Sequence, residues 1–235
     1  MPFTGFDAAY EVATRACRDV KALTVSMALS GRAGSTKLRG RVDAGLEAPA
    51  RARLEGIAPF GKPVFILVAD GDHGSLVLPR EDRVLSDAPP DRIVEAVAGV
   101  ALDAATLRTI VSGCGFGVTA PPADARLFPN GWVSAAGGDT TRYLRPASGG
   151  WQIAAATRGP LTVIYGDTAS GRPASVRIRA TSGDRVTADL MLRLSDVEVN
   201  AALDPRTFDI KPDLPAHPVP LTLDELRRAG PLGGQ

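Results

Sequence analysis

The stretch RARLEGIAPFGKPVFILVADGDHGSLVLPR, residues 51–80, decides how we interpret the fold of this chain. Apolar and charged side chains alternate from Arg51 to Glu55, which is typical of a strand with one face in water. Val64 to Val68 is continuously apolar instead, as in a strand that is buried on both faces. A turn at Gly71–Asp72 then leads into a third strand. The stretch therefore predicts three consecutive strands of one sheet.

A short apolar loop separates the first two of these strands. In it Phe60 stands between Pro59 and Gly61, in a connection that offers its side chain little local structure to bury against. Proline restricts the backbone before the aromatic residue, and glycine permits a tight reversal after it. Two interpretations stay open: either the ring folds back onto the core, or it is held outward at the tip of the loop.

Length and composition favour one β-rich domain over residues 1–235. With 235 residues, 44% of them hydrophobic, the chain can bury a substantial core. The formal net charge is +1 and no basic block stands out, so we expect no nucleic-acid partner. No apolar run approaches the roughly 20 residues of a membrane-spanning helix, and the first residues lack the features of a signal peptide. We therefore expect either a cytosolic protein or the trimmed, mature form of an exported one.

An amphipathic helix followed by a hairpin is predicted at the start of the chain. Over residues 5–21 the apolar side chains recur at spacings of three and four and form one stripe, namely Phe6, Tyr10, Ala13, Cys17 and Val20. From Leu23 the period changes to two and continues, through a turn at residues 31–36, to Leu46. This pattern predicts an antiparallel hairpin with one face in water.

Two short helices interrupt the β pattern at about residues 90–113. The first is entered through Pro90 or Asp91, and the second runs from Asp103 to a glycine stop at Gly113. Together with the N-terminal helix they are expected to cover one face of the sheet.

Strand patterns resume at Arg126 and continue to Leu194 at the spacing of a large antiparallel sheet. The tail over about residues 211–235 is proline-rich and extended, with a short terminal helix capped by Thr222 and Glu225. The predicted fold is mainly β with an α lid: about eleven antiparallel strands in a curled sheet that forms an unclosed half β-barrel, closed over by the helices.

Such a half-barrel would enclose an apolar cavity. The inward-facing apolar side chains are the candidate ligand-binding residues: Leu23, Val25, Met27, Leu38, Val42, Leu54, Leu107, Ile110, Ile153, Val163, Ile178, Leu190 and Leu192.

The usual catalytic groups are scarce in this sequence. His73 and His217 are the only histidines, one beside a turn and one in the proline-rich tail. Serine-hydrolase, zinc-protease and P-loop signatures are absent. The glycines of Gly113–Gly117 follow a helix instead of linking a strand to one, which argues against a phosphate loop. We expect no catalysis, no metal and no cofactor.

The order of these elements resembles the LolA/LolB superfamily of bacterial lipoprotein localisation proteins, and is closest to the outer-membrane receptor LolB. The resemblance is carried by the strand entering Ala58–Gly61, the two helices between Pro90 and Gly113, and the closing Leu194–Asn200 with Phe208. In that family an unclosed barrel and a helical lid hold lipoprotein acyl chains, and a protruding loop with an exposed leucine aids delivery. Phe60 occupies the leucine position here.

The resemblance implies a monomer that binds lipoprotein or lipid acyl chains, delivers them to the outer membrane and meets a LolA-like carrier and the membrane surface. The implied place is the periplasm or the periplasmic face of the outer membrane, with a lipid anchor upstream of Met1 in a receptor and none in a soluble carrier. A sensor or scaffold of the envelope that uses the same fold without transport is the alternative.

Cys17 and Cys114 depart from the family pattern. Cys17 lies on the apolar stripe of the first helix, and Cys114 directly follows the second inserted helix. Because both elements are expected to cover the same open side of the barrel, either a disulfide or two buried free thiols is expected.

Overall fold

Antiparallel strands make up most of the part of the chain that the computed structural model describes, which is residues 1–57, 63–117, 124–169 and 171–230. The helices are α1 (Phe6–Arg18), α2 (Pro90–Ala98), α3 (Ala104–Ser112) and α4 (Leu223–Ala229). The strands of the first half are β1 (Ala22–Ala33), β2 (Thr36–Glu47), β3 (Arg51–Ile57), β4 (Phe65–Asp70), β5 (His73–Leu78) and β6 (Arg83–Ala88). The second half contributes β7 (Asp124–Leu127), β8 (Val133–Gly137), β9 (Thr140–Ala147), β10 (Gly150–Arg158), β11 (Leu161–Tyr165), β12 (Thr168–Ala169), β13 (Arg172–Pro173), β14 (Ser175–Ser182), β15 (Arg185–Val199) and β16 (Val219–Pro220).

One sheet of fourteen strands organises the molecule, in the order β16-β6-β5-β4-β3-β2-β1-β15-β14-β11-β10-β9-β8-β7. Its pairings are antiparallel except for β16 beside β6, and its two edge strands, β16 and β7, stay apart. The predicted mainly β fold with an unclosed, curled sheet is confirmed. The sheet has fourteen strands instead of the predicted eleven because β6, β7 and β16 extend it at its ends.

The stretch that decided the sequence interpretation forms three neighbouring strands in register. On β4 the residues Ile66 and Val68 belong to an apolar cluster on the convex face, whereas Leu67 and Ala69 belong to the main core on the concave face. The prediction of a strand buried on both faces is therefore confirmed for Ile66 to Val68, whereas Val64 lies before β4 and is 37% exposed. The hairpin of β1 and β2 also forms as predicted, with a tight turn between Ala33 and Thr36.

Helices α1, α2 and α3 cover the concave face of the sheet. Helix α2 begins at Pro90 and ends at Ala98, and α3 begins after Asp103, whose side chain accepts a hydrogen bond from the Thr106 amide. Gly99 and Gly113 adopt left-handed conformations that end the two helices. Helix α1 begins at Phe6 and ends at Arg18, three residues before the predicted end. Along these helices the predicted apolar stripes face the sheet.

Residues 200–230, here called the C-terminal strap, wrap around one edge of the sheet. Phe208 and Ile210 pack on the apolar cluster of the convex face. The strap then adds β16 beside β6 and places α4 against α2 on the concave side, where Leu226 is buried in the main core. The predicted capping box of Thr222 and Glu225 is formed at the start of α4. The strap therefore joins the two faces of the sheet.

An ion-pair cluster fixes the strap to β3. The guanidinium of Arg53 donates to both carboxylate oxygens of Asp213, at 2.8 and 3.0 Å, and to Glu55 at 2.6 Å. Asp213 and Glu55 raise the pKa of Arg53 above its ordinary value, although partial burial opposes them. The Arg53 side chain is only 16% exposed, so its pairs are less screened than surface pairs.

We expect Arg53→Ala to lower the free energy of unfolding by about 1–3 kcal/mol, because the carboxylates of Asp213 and Glu55 lose a charged donor in a partly buried place. Urea unfolding measures this loss. Arg41→Ala is the matched control, since the Arg41–Asp43 pair is exposed and should contribute less than about 1 kcal/mol. Equal effects of the two substitutions would contradict a special role for Arg53.

In the described ranges no helix combines the length and apolar character that crossing a membrane requires.

Candidate functional site

The candidate ligand-binding residues come together on the concave side of the sheet. Twelve of them belong to the main buried cluster, with relative exposures of 8% or less, and Val42 packs against its margin. The strands β1, β2, β3, β10, β11, β14 and β15 supply most of this surface, and α3 supplies Leu107 and Ile110 from the opposite layer. The alternation read from the sequence therefore identifies one continuous apolar surface.

The helices fill the space over this surface. Side chains that line an open cavity keep surface accessible to water, but Leu23, Ile93 and Ile110 are each 0% exposed. The space at the seam between α1, the end of α3 and strands β10 and β11 is about 50 Å³, whereas drug-sized ligands occupy pockets of roughly 300–1,000 Å³. The apolar residues expected to line a cavity are present on the concave face. The helices occupy the volume in which the cavity was expected. An acyl chain can reach this surface only if the helices move.

Tyr165 connects the end of α3 to the sheet. Its hydroxyl accepts a hydrogen bond from the Gly115 amide at 2.8 Å and donates one to the Ile110 carbonyl at 2.9 Å. Burial raises the pKa of Tyr165 well above its ordinary value, so the phenol stays neutral at physiological pH. Because the Gly115 amide is used in this way, the glycines of Gly113–Gly117 serve the packing of α3 rather than the binding of phosphate.

The sulfur atoms of Cys17 and Cys114 are joined in the structure, and their Cα atoms lie 5.6 Å apart. Both residues are buried, with exposures of 7% and 1%. The bridge ties the C-terminal turn of α1 to the residue after Gly113, at the end of α3. It therefore makes α1 and α3 one covalent unit over the concave face.

Two arginines on the concave face were missed by the sequence analysis. Arg142 of β9 is 0% exposed, and its register partner on β10 is Ala156, a residue of the main core. Arg158 of β10 pairs with Thr140, so the two arginines are diagonal neighbours on the same face. The signal that could have found Arg142 is the alternation Thr140, Arg142, Leu144, which places a cation on the apolar side of a strand.

The histidines lie away from this surface. His73 Nδ1 is 2.5 Å from Asp87 Oδ1, which raises the pKa of His73, but both side chains are more than three-quarters exposed. His217 is exposed in the strap. Among the described residues no group of three or more His, Cys, Asp or Glu side chains is arranged to hold a metal ion. The concave side offers apolar surface and two guanidinium groups instead.

The predicted delivery loop, with Pro59, Phe60 and Gly61, lies outside the described residues, so its geometry stays a prediction from the sequence.

No protein-family model and no curated protein sequence matches this chain. Solved structures do resemble it. A LolA superfamily protein from Nitrosomonas europaea superposes with a TM-score of 0.56 at 11% identity, over 88% of this chain and 98% of that one. A DUF1329 family protein from Desulfovibrio piger gives a TM-score of 0.53 at 10% identity, over 91% of this chain and all of that one. The chain therefore shares the overall fold of these two structures.

Proposed function

We propose that this protein binds the acyl chains of a lipoprotein, or of a comparable lipid, on the concave face of its sheet and works without catalysis. The observation that carries the proposal is the continuous apolar surface beneath α1, α2 and α3, on a fold shared with a LolA superfamily protein. Shape and apolar character are what an acyl chain requires of a carrier, and differential affinity alone is enough for transfer.

In energetic terms, an acyl chain can replace the helices on the concave face. An acyl chain of about fifteen methylenes costs on the order of 10 kcal/mol to hold in water, at about 0.8 kcal/mol per methylene. Helices that leave the concave face would expose a comparable apolar surface, and an acyl chain that takes their place would cover it again. When the protein carries no lipid, the helices thereby keep this apolar surface out of water.

We propose that the glycines after α2 and α3 act as hinges for such a movement. Gly113, Gly115 and Gly117 all have positive φ, so the five residues after α3 depend on backbone conformations that glycine adopts without strain. Gly99 plays the same part after α2. The disulfide makes α1 and α3 move together, and we propose that α2 moves separately with α4.

Place and partners follow from the resemblance to the LolB branch of the family. We propose that the protein works in the bacterial envelope at the periplasmic face of the outer membrane, receives its lipid from a LolA-like carrier and delivers it to the membrane as a monomer. A sensor or scaffold of the envelope is the second candidate. It is favoured by the filled concave face, because such a role needs no ligand.

Lipid occupancy separates the two candidates. Protein purified without detergent is expected to carry a lipid detectable by native mass spectrometry, or to bind a fluorescent fatty acid saturably. Delipidated protein should then release that fatty acid to liposomes. Protein that is empty as purified and shows no saturable binding would favour the sensor or scaffold.

Phe60→Glu tests delivery at the loop between β3 and β4. If the ring is held outward, the substitution should leave the melting temperature nearly unchanged and preserve lipid binding in solution. It should impair transfer to liposomes, because one aromatic side chain in an acyl environment contributes about 1.5–3 kcal/mol. If Phe60 is a core residue instead, Phe60→Ala costs about 3–5 kcal/mol of stability, and a marked fall in melting temperature would show this.

A further inference from the structure

Arg142 is a buried cation that forms no ion pair among the described residues. Its side chain is fully buried, and a guanidinium stays protonated at any physiological pH. One nitrogen, Nη2, donates to the Gly117 carbonyl at 2.8 Å, whereas Nε and Nη1 are buried and find no hydrogen-bond partner in the described part of the chain. The face of the Tyr10 ring lies 5.8 Å from the guanidinium carbon. Buried charges are normally paired, so Arg142 requires an explanation.

No carboxylate side chain of the chain supplies the missing partner. None of the ion pairs among the described residues includes Arg142, and residues 58–62, 118–123, 170 and 231–235 contain neither aspartate nor glutamate. The acidic residue nearest to Arg142 in the sequence is Asp139, and its carboxylate accepts a hydrogen bond from the Thr140 hydroxyl. No aspartate or glutamate side chain of this chain is therefore paired with Arg142, and an anion bound from outside would supply the missing counter-charge.

A second arginine, Arg158, is the diagonal neighbour of Arg142 in the register of β9 and β10. Arg158 is half-buried, donates to the Thr106 hydroxyl at 3.1 Å and lies 4.6 Å from the centre of the Phe116 ring. It too forms no ion pair with the described carboxylates, and the residues outside the description offer none. An oxyanion that accepts hydrogen bonds from both arginines would supply the negative charge that the two cations lack.

The position of this pair relative to the apolar surface suggests an amphiphile. Ala156, opposite Arg142, belongs to the main core, whereas Tyr10 and Leu144 belong to a separate apolar cluster between α1 and strands β7, β8 and β9. Arg142 thus lies where the two apolar clusters meet. The segment that covers it is the glycine-rich one after α3, which approaches so closely that a Cβ on Gly115 would lie 2.8 Å from that of Ala156.

We propose that Arg142 and Arg158 form a binding site for the anionic group, a carboxylate or a phosphate, of a lipid whose chain lies on the concave face. This inference rests on the proposed lipid binding and narrows it to anionic amphiphiles. When the segment Gly113–Gly117 lifts with α3, the Gly117 carbonyl leaves Arg142 and the oxyanion takes its place. The two guanidinium groups bind the anionic head group, and the apolar surface binds the acyl chain.

Displacement of the uncharged fluorophore N-phenyl-1-naphthylamine tests this site. The competitors are palmitate, hexadecyl phosphate, hexadecanol, and inorganic phosphate or acetate without a chain. Wild-type protein is expected to bind the two anionic amphiphiles at least about tenfold more tightly than hexadecanol, since hydrogen bonds to charged groups are worth more than neutral ones. Inorganic phosphate and acetate should not compete.

Arg142→Met should bring the affinity for palmitate and hexadecyl phosphate down to that for hexadecanol and leave hexadecanol unchanged. Arg142→Lys, which keeps the charge, should retain part of the preference. Arg39→Met on the exposed convex face is the matched control and should change nothing. Because removal of an unpaired buried charge relieves a desolvation cost, Arg142→Met should also keep or raise the melting temperature.

The outcomes separate the two proposals. Equal affinity of wild-type protein for palmitate and hexadecanol overturns the anion site but leaves lipid binding intact, whereas no binding of any amphiphile overturns lipid binding itself. Competition by inorganic phosphate alone, lost in Arg142→Met, would identify a free-anion site and overturn the amphiphile. A lower melting temperature of Arg142→Met, with the charge preference retained, would make Arg142 a structural residue only. If Arg142→Met does not fold, Arg158→Met and Arg142→Lys take the same test.

Discussion

Replacing Cys17 and Cys114 together by alanine is expected to lower the free energy of unfolding by roughly 4 kcal/mol. The two residues are 97 positions apart in the sequence, and a cross-link that closes a loop of this length removes a large part of the entropy of the unfolded chain. A loss of that size is a substantial share of the roughly 5–15 kcal/mol by which a domain of this kind is stable. Urea unfolding of the double variant against wild-type protein measures it.

Reductant provides the control for the cysteine prediction. Wild-type protein unfolded in the presence of dithiothreitol should match the double variant, and the double variant should not respond to dithiothreitol. Thiol counting in denaturant without reductant should find no reactive thiol. Two reactive thiols would show that the bridge does not form in solution, and the stability difference should then shrink to that of the side-chain truncations alone.

Leu226→Ala is expected to cost about 2–5 kcal/mol, because Leu226 is 1% exposed and anchors α4 in the main core. The loss should appear first in the strap. Once α4 is loosened, β16 has only the short pairing with β6 to hold it, so trypsin should cleave after Arg227 and Arg228 faster than in wild-type protein.

Leu214→Ala is the matched control for this second prediction. Leu214 belongs to the same strap but is 41% exposed, so its truncation should change stability by less than about 1 kcal/mol and leave the cleavage pattern unaltered. Similar losses for the two leucines would mean that the strap contributes through its length rather than through the anchor at Leu226.

Much of the fold could be predicted because alternation of apolar and polar side chains survives in the long strands. The eleven predicted strands correspond to β1–β5, β8–β11, β14 and β15, in which the pattern repeats several times. β16 has two residues and β7 has four, too few for a period to show. Their pairing depends on where the chain returns to the sheet, and a local sequence pattern does not predict that position.

The candidate site was predictable to the same extent and for the same reason. The concave face follows from strand alternation, but the closeness of the helices to that face depends on docking between distant segments. Arg142 was missed because a single arginine among polar residues in a strand is usually solvated. The buried surface around it comes from α1 and Gly117, which lie far from it in sequence.

The pairing of β1 with β15 at the middle of the sheet determines the order in which the strands of the protein can pair during folding. Leu23 pairs with Val199 and Ala33 with Ala188, so the two halves of the sheet meet only after nearly 200 residues have been synthesised. Until then β1 presents an unpaired edge of twelve residues, the kind of edge at which chains aggregate. The two halves of the sheet can therefore join only after β15 has been synthesised, and this step is expected to be slow, because long-range strand pairing limits its rate. A chaperone that covers the β1 edge of the nascent chain would serve this protein better than one that recognises its C-terminal half.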